Sequence, residues 1–145
     1  VLLYDPVRQA IGAVHAGWRG CAAGIVEKAV AAMEVAYGSR PAELLAALGP
    51  CIGRCCFETD GDVPEAMQAA LGTEADACIT VKGSKFHVDL AGLNRQWLLR
   101  AGLLPERIEV SGICTACRPD LFWSHRKMGE RRGVQVAVIS LKEGL

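Results

Sequence analysis

The hexapeptide His15-Ala16-Gly17-Trp18-Arg19-Gly20 is the most chemically unusual stretch of the chain. An imidazole at the end of a buried strand, followed by glycines and the start of a helix, is presented at a corner where ligands commonly sit. It can bind a metal or relay a proton near neutral pH. The glycines permit close approach, and free N–H groups at a helix start can hold an anion. A core histidine bonded to a carbonyl is the other reading of His15. By the same logic Trp18 is a core anchor and Arg19 a surface or ion-paired residue, unless a substrate lies above them.

Gly49-Pro50-Cys51-Ile52-Gly53-Arg54-Cys55-Cys56-Phe57-Glu58 is a second candidate. A thiolate on a glycine-rich loop can act as nucleophile or ligand if a cation lowers its pKa, and Arg54 is near in sequence. A tight turn with buried thiols is the simpler reading. Cys114-Thr115-Ala116-Cys117 invites a metal, and with Cys55 or Cys56 it would complete a thiolate site. One C-x-x-C pair does not define structural zinc, which normally takes two such knuckles or a pair of histidines. A redox dithiol would sit at a helix start in a βαβ setting. Phe122-Trp123-Ser124-His125-Arg126-Lys127 and Glu130-Arg131-Arg132-Gly133 concentrate donors and aromatic rings. That composition suits stacking on a heterocycle and binding phosphate or ribose hydroxyls, and equally a solvated basic loop. His87 has the spacing of a facing or exposed strand residue.

Elements must position these groups. Residues 1–4 and 9–15 read as short strands about the turn signal Asp5-Pro6. From Gly20 onward Ile25, Val26, Ala29, Val30, Met33 and Tyr37 recur at helical steps, and Gly38 stands where a left-handed C′ residue belongs. Residues 44–48 form a buried strand running into the Gly49–Gly53 loop. Asp62 as N-cap, Pro64 in the first turn and Gly72 delimit a second helix. Residues 78–81 and 85–88 are strands about a hairpin-like turn. Asp89 caps a third helix with Leu90, Leu93, Trp97 and Leu98 on one face and Gly102 at its end. Residues 108–113 and 135–141 are the last two strands. Hairpin-like strand pairs mixed with single helices predict an α+β fold of mixed sheets layered with helices.

Lys plus Arg number 16 and Asp plus Glu 16, so the formal net charge is zero. Backbone binding to nucleic acid needs a basic stripe that this chain lacks. No apolar run reaches the roughly 18 to 20 residues that span a bilayer. Hydrophobic residues make up 51 % of a 145-residue chain, which suits a single domain over residues 1–145 with no need of disulfides. Seven cysteines, an odd number with two adjacent and no secretory signal, indicate reduced thiols in the cytoplasm. Cys21 and Cys78 then read as small buried hydrophobes. The first residues look like a strand entered partway, so the chain is expected to be the C-terminal part of a longer protein.

In order, His15-Ala-Gly-Trp-Arg-Gly, Leu48-Gly-Pro-Cys-Ile-Gly, Cys55-Cys56-Phe57-Glu58 and Cys114-Thr115 with Phe122-Trp123-Ser124-His125-Arg126 resemble one family. It is the laccase-like polyphenol oxidase or purine nucleoside phosphorylase family, also labelled peptidoglycan editing factor. The resemblance implies a cytoplasmic protein, an α/β/β/α sandwich of the cysteine hydrolase type, and one transition metal, usually zinc, held by a His, a Cys and a second His. The second His matches His15, which is thereby the metal and catalytic residue. The other two ligands normally lie in a Val-His-Gly-like and an Ala-Asp-Cys-Leu-Pro-like stretch upstream, and neither occurs here, so a partner or a preceding segment would have to bring them. The implied substrates are a purine nucleoside and phosphate: phosphorolysis of adenosine or inosine, and deamination of adenosine. Charge and position assign Arg19, Arg126 and the glycine loop with Gly53 to substrate or phosphate contacts. Copper-dependent phenol oxidation is the alternative. It is disfavoured because three histidines cannot build a multicopper cluster. A non-catalytic interaction module, docking through its Cys-rich edge, is the third reading.

Overall fold

The computed structural model describes residues 1–142. The turn signal at Asp5-Pro6 works as expected: β1 (Leu2–Asp5) and β2 (Ala10–Ala13) form an antiparallel hairpin with Leu3 opposite Gly12 and Asp5 opposite Ala10. β3 (Leu45–Leu48) lies antiparallel along the other side of β1, and β7 (Ile108–Val110) lies parallel to β3. This gives a four-stranded sheet of order β2-β1-β3-β7. Side chains alternate across it. Leu3, Asp5, Ala10, Ala46, Leu48 and Ile108 are buried on one face, whereas Leu45 and Ala47 on the opposite face are exposed.

Helices cover only the buried face. α1 (Trp18–Ala22) and α2 (Ile25–Tyr37) follow β2, and α2 places Val26, Val30 and Met33 in the core. α2 rests so close to the sheet that a Cβ on Gly12 would meet Met33 Sδ at 3.0 Å. α4 (Leu90–Arg100) buries Leu90, Leu93, Trp97 and Leu98, and Asp89 caps it by accepting from the Gly92 amide at 2.9 Å. α3 (Asp62–Leu71) packs on a second, three-stranded antiparallel sheet of β4 (Glu58–Thr59), β6 (Lys85–Val88) and β5 (Ile79–Lys82), in that order. The fold is α+β with two sheets, as the pattern of elements predicts.

Three elements differ from that expectation. The long helix expected from Gly20 is broken: Gly24 sits in the left-handed region at φ 66°, with the Trp97 indole where a Cβ would point. The second helix has Gly61 at its N-cap and Asp62 inside its first turn. The third difference is the largest. Residues 135–141, predicted as a strand, carry no secondary structure and pair with no strand among the described residues, and Val136 and Val138 are 80 % and 81 % exposed. Alternating valines favour a strand, but a strand also needs a neighbour to bond.

Candidate functional site

The parallel pair β3/β7 continues past its strands. Ser111 N–H donates to Leu48 O, Cys51 N–H to Ile113 O and Thr115 N–H to Cys51 O, so Cys51 and Cys114 lie side by side as an isolated bridge. Each loop then turns tightly. Gly53 O accepts from the amides of both Cys56 and Phe57, and Cys114 O accepts from the Cys117 amide. The two turns face each other and bring four sulfurs, those of Cys55, Cys56, Cys114 and Cys117, within 4.8 Å of one another. Cys117 Sγ is 3.6 Å from Cys55 Sγ and 3.5 Å from Cys56 Sγ. Gly53 brings the two turns close: a Cβ on it would stand 3.1 Å from Cys114 Cβ, and its amide donates to Cys114 Sγ at 3.2 Å.

These contacts distribute protons unequally. Burial would raise the Cys114 thiol, but the amides of Gly53, Cys117 and Ala116 and the Cys55 thiol outweigh it and bring it down to about 6. Cys55 is pushed up, chiefly by burial. Cys117 is pushed up chiefly by its bond to Cys56. Cys56 is raised too: its bond to Cys117 lowers it, but burial and its bonds to Cys55 and Cys114 prevail. One sulfur therefore carries negative charge shared by three thiols, an arrangement that can hold a soft or borderline metal ion. Cys21 and Cys78 are buried as expected, and burial pushes Cys21 up to about 12.

His15 lies at the same end of the sheet, just past the carboxyl end of β2, which runs in the direction of β3 and β7. Its side chain is exposed, and its ring stands over Gly17, where a Cβ would be 3.2 Å from Nε2. The alternative of a histidine tied to a carbonyl describes the half-buried His87 instead, whose Nδ1 is 2.8 Å from Arg54 O. Among the described residues, the one group of three or more potential ligands is the four-cysteine cluster. The His-Cys-His site implied by the resemblance is therefore not completed among the described residues.

The remaining candidates are separated. Arg19 is exposed and stacks on Trp18, its guanidinium carbon 4.3 Å from the ring centroid. Arg126 lies on α5 (His125–Met128), where Nη1 donates to Glu58 O at 2.9 Å and to Cys56 O at 3.4 Å. It thus ties the aromatic-basic segment to the cysteine loop. The pairing of both Cys55 and Cys56 with the C-x-x-C turn was not readable from spacing, since adjacent residues in a strand point to opposite faces and only the turn brings both sulfurs together.

The fold and this arrangement of motifs define a laccase-domain protein, and the chain belongs to the family described as multi-copper polyphenol oxidoreductase laccase, whose model matches residues 1–142. It is 37 % identical over 144 residues to the purine nucleoside phosphorylase YlmD of Bacillus subtilis, covering 99 % of this chain and 51 % of that protein. It is 34 % identical over 148 residues to the human purine nucleoside phosphorylase LACC1, covering 99 % of this chain and 34 % of that one. Among solved structures, YlmD from Geobacillus stearothermophilus superposes with a TM-score of 0.82 at 34 % identity, over 87 % of this chain and 47 % of that one. The Bacillus licheniformis protein YfiH gives 0.81 at 40 % identity, over 87 % and 48 %. The chain spans about half the length of the first curated relative it matches.

Proposed function

We propose that this chain supplies the His15-bearing, C-terminal part of a purine nucleoside phosphorylase that acts on adenosine and inosine and deaminates adenosine in the cytoplasm. The observation that carries this reading is the identity to relatives named purine nucleoside phosphorylase over nearly the whole chain. In phosphorolysis a phosphate oxygen bonds to the ribose C1′ as the bond from C1′ to the base breaks, and the base leaves with the electron pair. Such a site needs cations for phosphate and an aromatic or apolar wall for the base. In this reading Arg19, set over the Trp18 ring, receives phosphate. Arg126 and the Gly53 loop bound the substrate from the β7 side. His15 is one ligand of a zinc ion, with copper the alternative, and its other ligands come from outside residues 1–145.

The open sheet face supports the same reading. Leu2, Tyr4, Ile11 and Leu45 share it through their register, and Leu45 is 41 % exposed. A second layer would cover that face. The test is release of hypoxanthine from inosine and phosphate, by this chain alone and with the preceding half supplied. The full pair is expected to turn over, His15→Ala to abolish turnover, and Arg19→Ala to lower kcat/KM by about 10- to 100-fold, the loss of one charge-assisted contact. Full activity from a monomer of this chain alone would refute the shared site. Copper-dependent oxygen uptake with phenols, absent after chelation and without phosphorolysis, would favour the oxidase instead.

A further inference from the structure

We propose that Cys55, Cys56, Cys114 and Cys117 form a tetrathiolate site for a single zinc ion, which clips the loop after β3 to the loop after β7 and is separate from His15. The sulfurs outline a cage for one ion. With Zn–S bonds of about 2.3 Å, the edges of a regular tetrahedron are about 3.8 Å. The separations of 3.5 and 3.6 Å about Cys117 lie near that value, and no separation in the group exceeds 4.8 Å. An iron–sulfur cluster would hold its cysteines further apart, since several metals and sulfides must fit between them. A disulfide would need its two sulfurs at about 2.05 Å and would leave the other pair facing each other without a cation.

The backbone prepares this cage before any ion arrives. Cys114-Thr115-Ala116-Cys117 closes on itself through the Cys117 amide to Cys114 O at 3.2 Å, a metal knuckle in shape. The opposing turn is pinned by two amides on Gly53 O, and the Gly53 amide already donates to Cys114 Sγ. Zinc binds all four cysteines as thiolates, the sulfurs still protonated releasing their protons to solvent, so four thiolates and one divalent ion leave the site at a net charge of −2. All four ligands belong to this chain, so the site does not rest on the nucleoside reading. Its consequence is positional. β7 is an edge strand, and the clip would hold the segment behind it, with Arg126, against Cys56 and Glu58.

The experiment titrates the reduced, metal-free full chain with Co²⁺ and then Zn²⁺. The expected result is one Co²⁺ per chain with the intense visible bands of a tetrahedral ion and a thiolate-to-cobalt charge-transfer band, both bleached by one equivalent of Zn²⁺. Zinc should also protect those four cysteines from alkylation, read by peptide mass spectrometry on the wild-type chain. Cys114→Ser and Cys117→Ser should weaken zinc binding at least ~100-fold, more than the loss of an outer-shell partner. Cys51→Ser and His15→Ala should leave the spectrum unchanged. An octahedral cobalt spectrum, bands that vanish in His15→Ala, an iron–sulfur chromophore, or a Cys55–Cys117 or Cys56–Cys117 disulfide formed in preference to metal binding would each overturn the proposal.

Discussion

The carboxylate of Asp5 is fully enclosed, yet it stays charged because the turn it closes is built around it. Oδ1 accepts from the amides of Val7 and Arg8 at 2.9 and 3.0 Å, and Oδ2 lies 3.4 Å from Arg8 Nη1. Arg8 in turn pairs with Glu43. Burial works against the charge, but the nearby Ser39 hydroxyl, the two amides and the guanidinium outweigh it and hold the carboxyl below its ordinary value. Removing the group in Asp5→Ala leaves two amides without a partner and should cost about 2–3 kcal/mol at neutral pH, read by urea unfolding. Since the folded-state value lies below the unfolded one, this stabilisation is complete above the unfolded value and fades as pH falls through the folded one. The gap between wild type and Asp5→Ala should therefore close on acidification below about pH 4. A gap that persists undiminished at pH 2 would contradict the assignment.

Among the elements, the break between α1 and α2 is the most testable. Gly24, at φ 66°, has the Trp97 ring 3.3 Å from where a Cβ would stand, whereas Gly83 at φ 62° faces open space. Both substitutions to Ala incur the left-handed penalty of about 1–2 kcal/mol. Gly24→Ala adds a clash with the indole and should be the more destabilising of the two in thermal unfolding. Equal losses would show that the indole yields freely. Leu93 is fully buried on α4, and Leu93→Ala should cost about 2–5 kcal/mol by leaving a cavity among close-packed neighbours. The hairpin of β5 and β6 and the Asp89 cap follow the sequence closely, because each depends on residues within a few positions of itself.

Considered whole, the molecule is closed on its helical side and open on the other. Leu45 on the bare sheet face, and Val134, Val136 and Val138 near the C-terminal end of the described residues, are exposed. Exposed apolar stretches of this kind promote association. Val136→Thr with Val138→Thr should lower self-association in light scattering while changing unfolding stability by no more than about 0.5 kcal/mol, as for surface positions. A large loss of stability would show that the valines are packed in solution. Adding the preceding half of a relative should raise the melting temperature by occupying the bare face, since binding to the folded form alone stabilises it.

What rests on short range is legible in the chain: the turn at Asp5-Pro6, the Gly38 stop of α2, the capped helix after Asp89, and the His15-to-Gly20 corner with its family resemblance. Hydrophobic period and capping act over a few residues, so one stretch of chain contains all the information they need. Three features instead arise from packing in space. α1 parts from α2 at a left-handed Gly24 whose open side is filled by Trp97, far along the chain. Residues 135–141 stay unpaired because alternation specifies a strand's faces but cannot supply its neighbour. Cys55, Cys56, Cys114 and Cys117 gather because two parallel strands, distant in sequence, run side by side and end in facing turns; proximity of that kind is a property of strand pairing, which spacing along the chain does not encode.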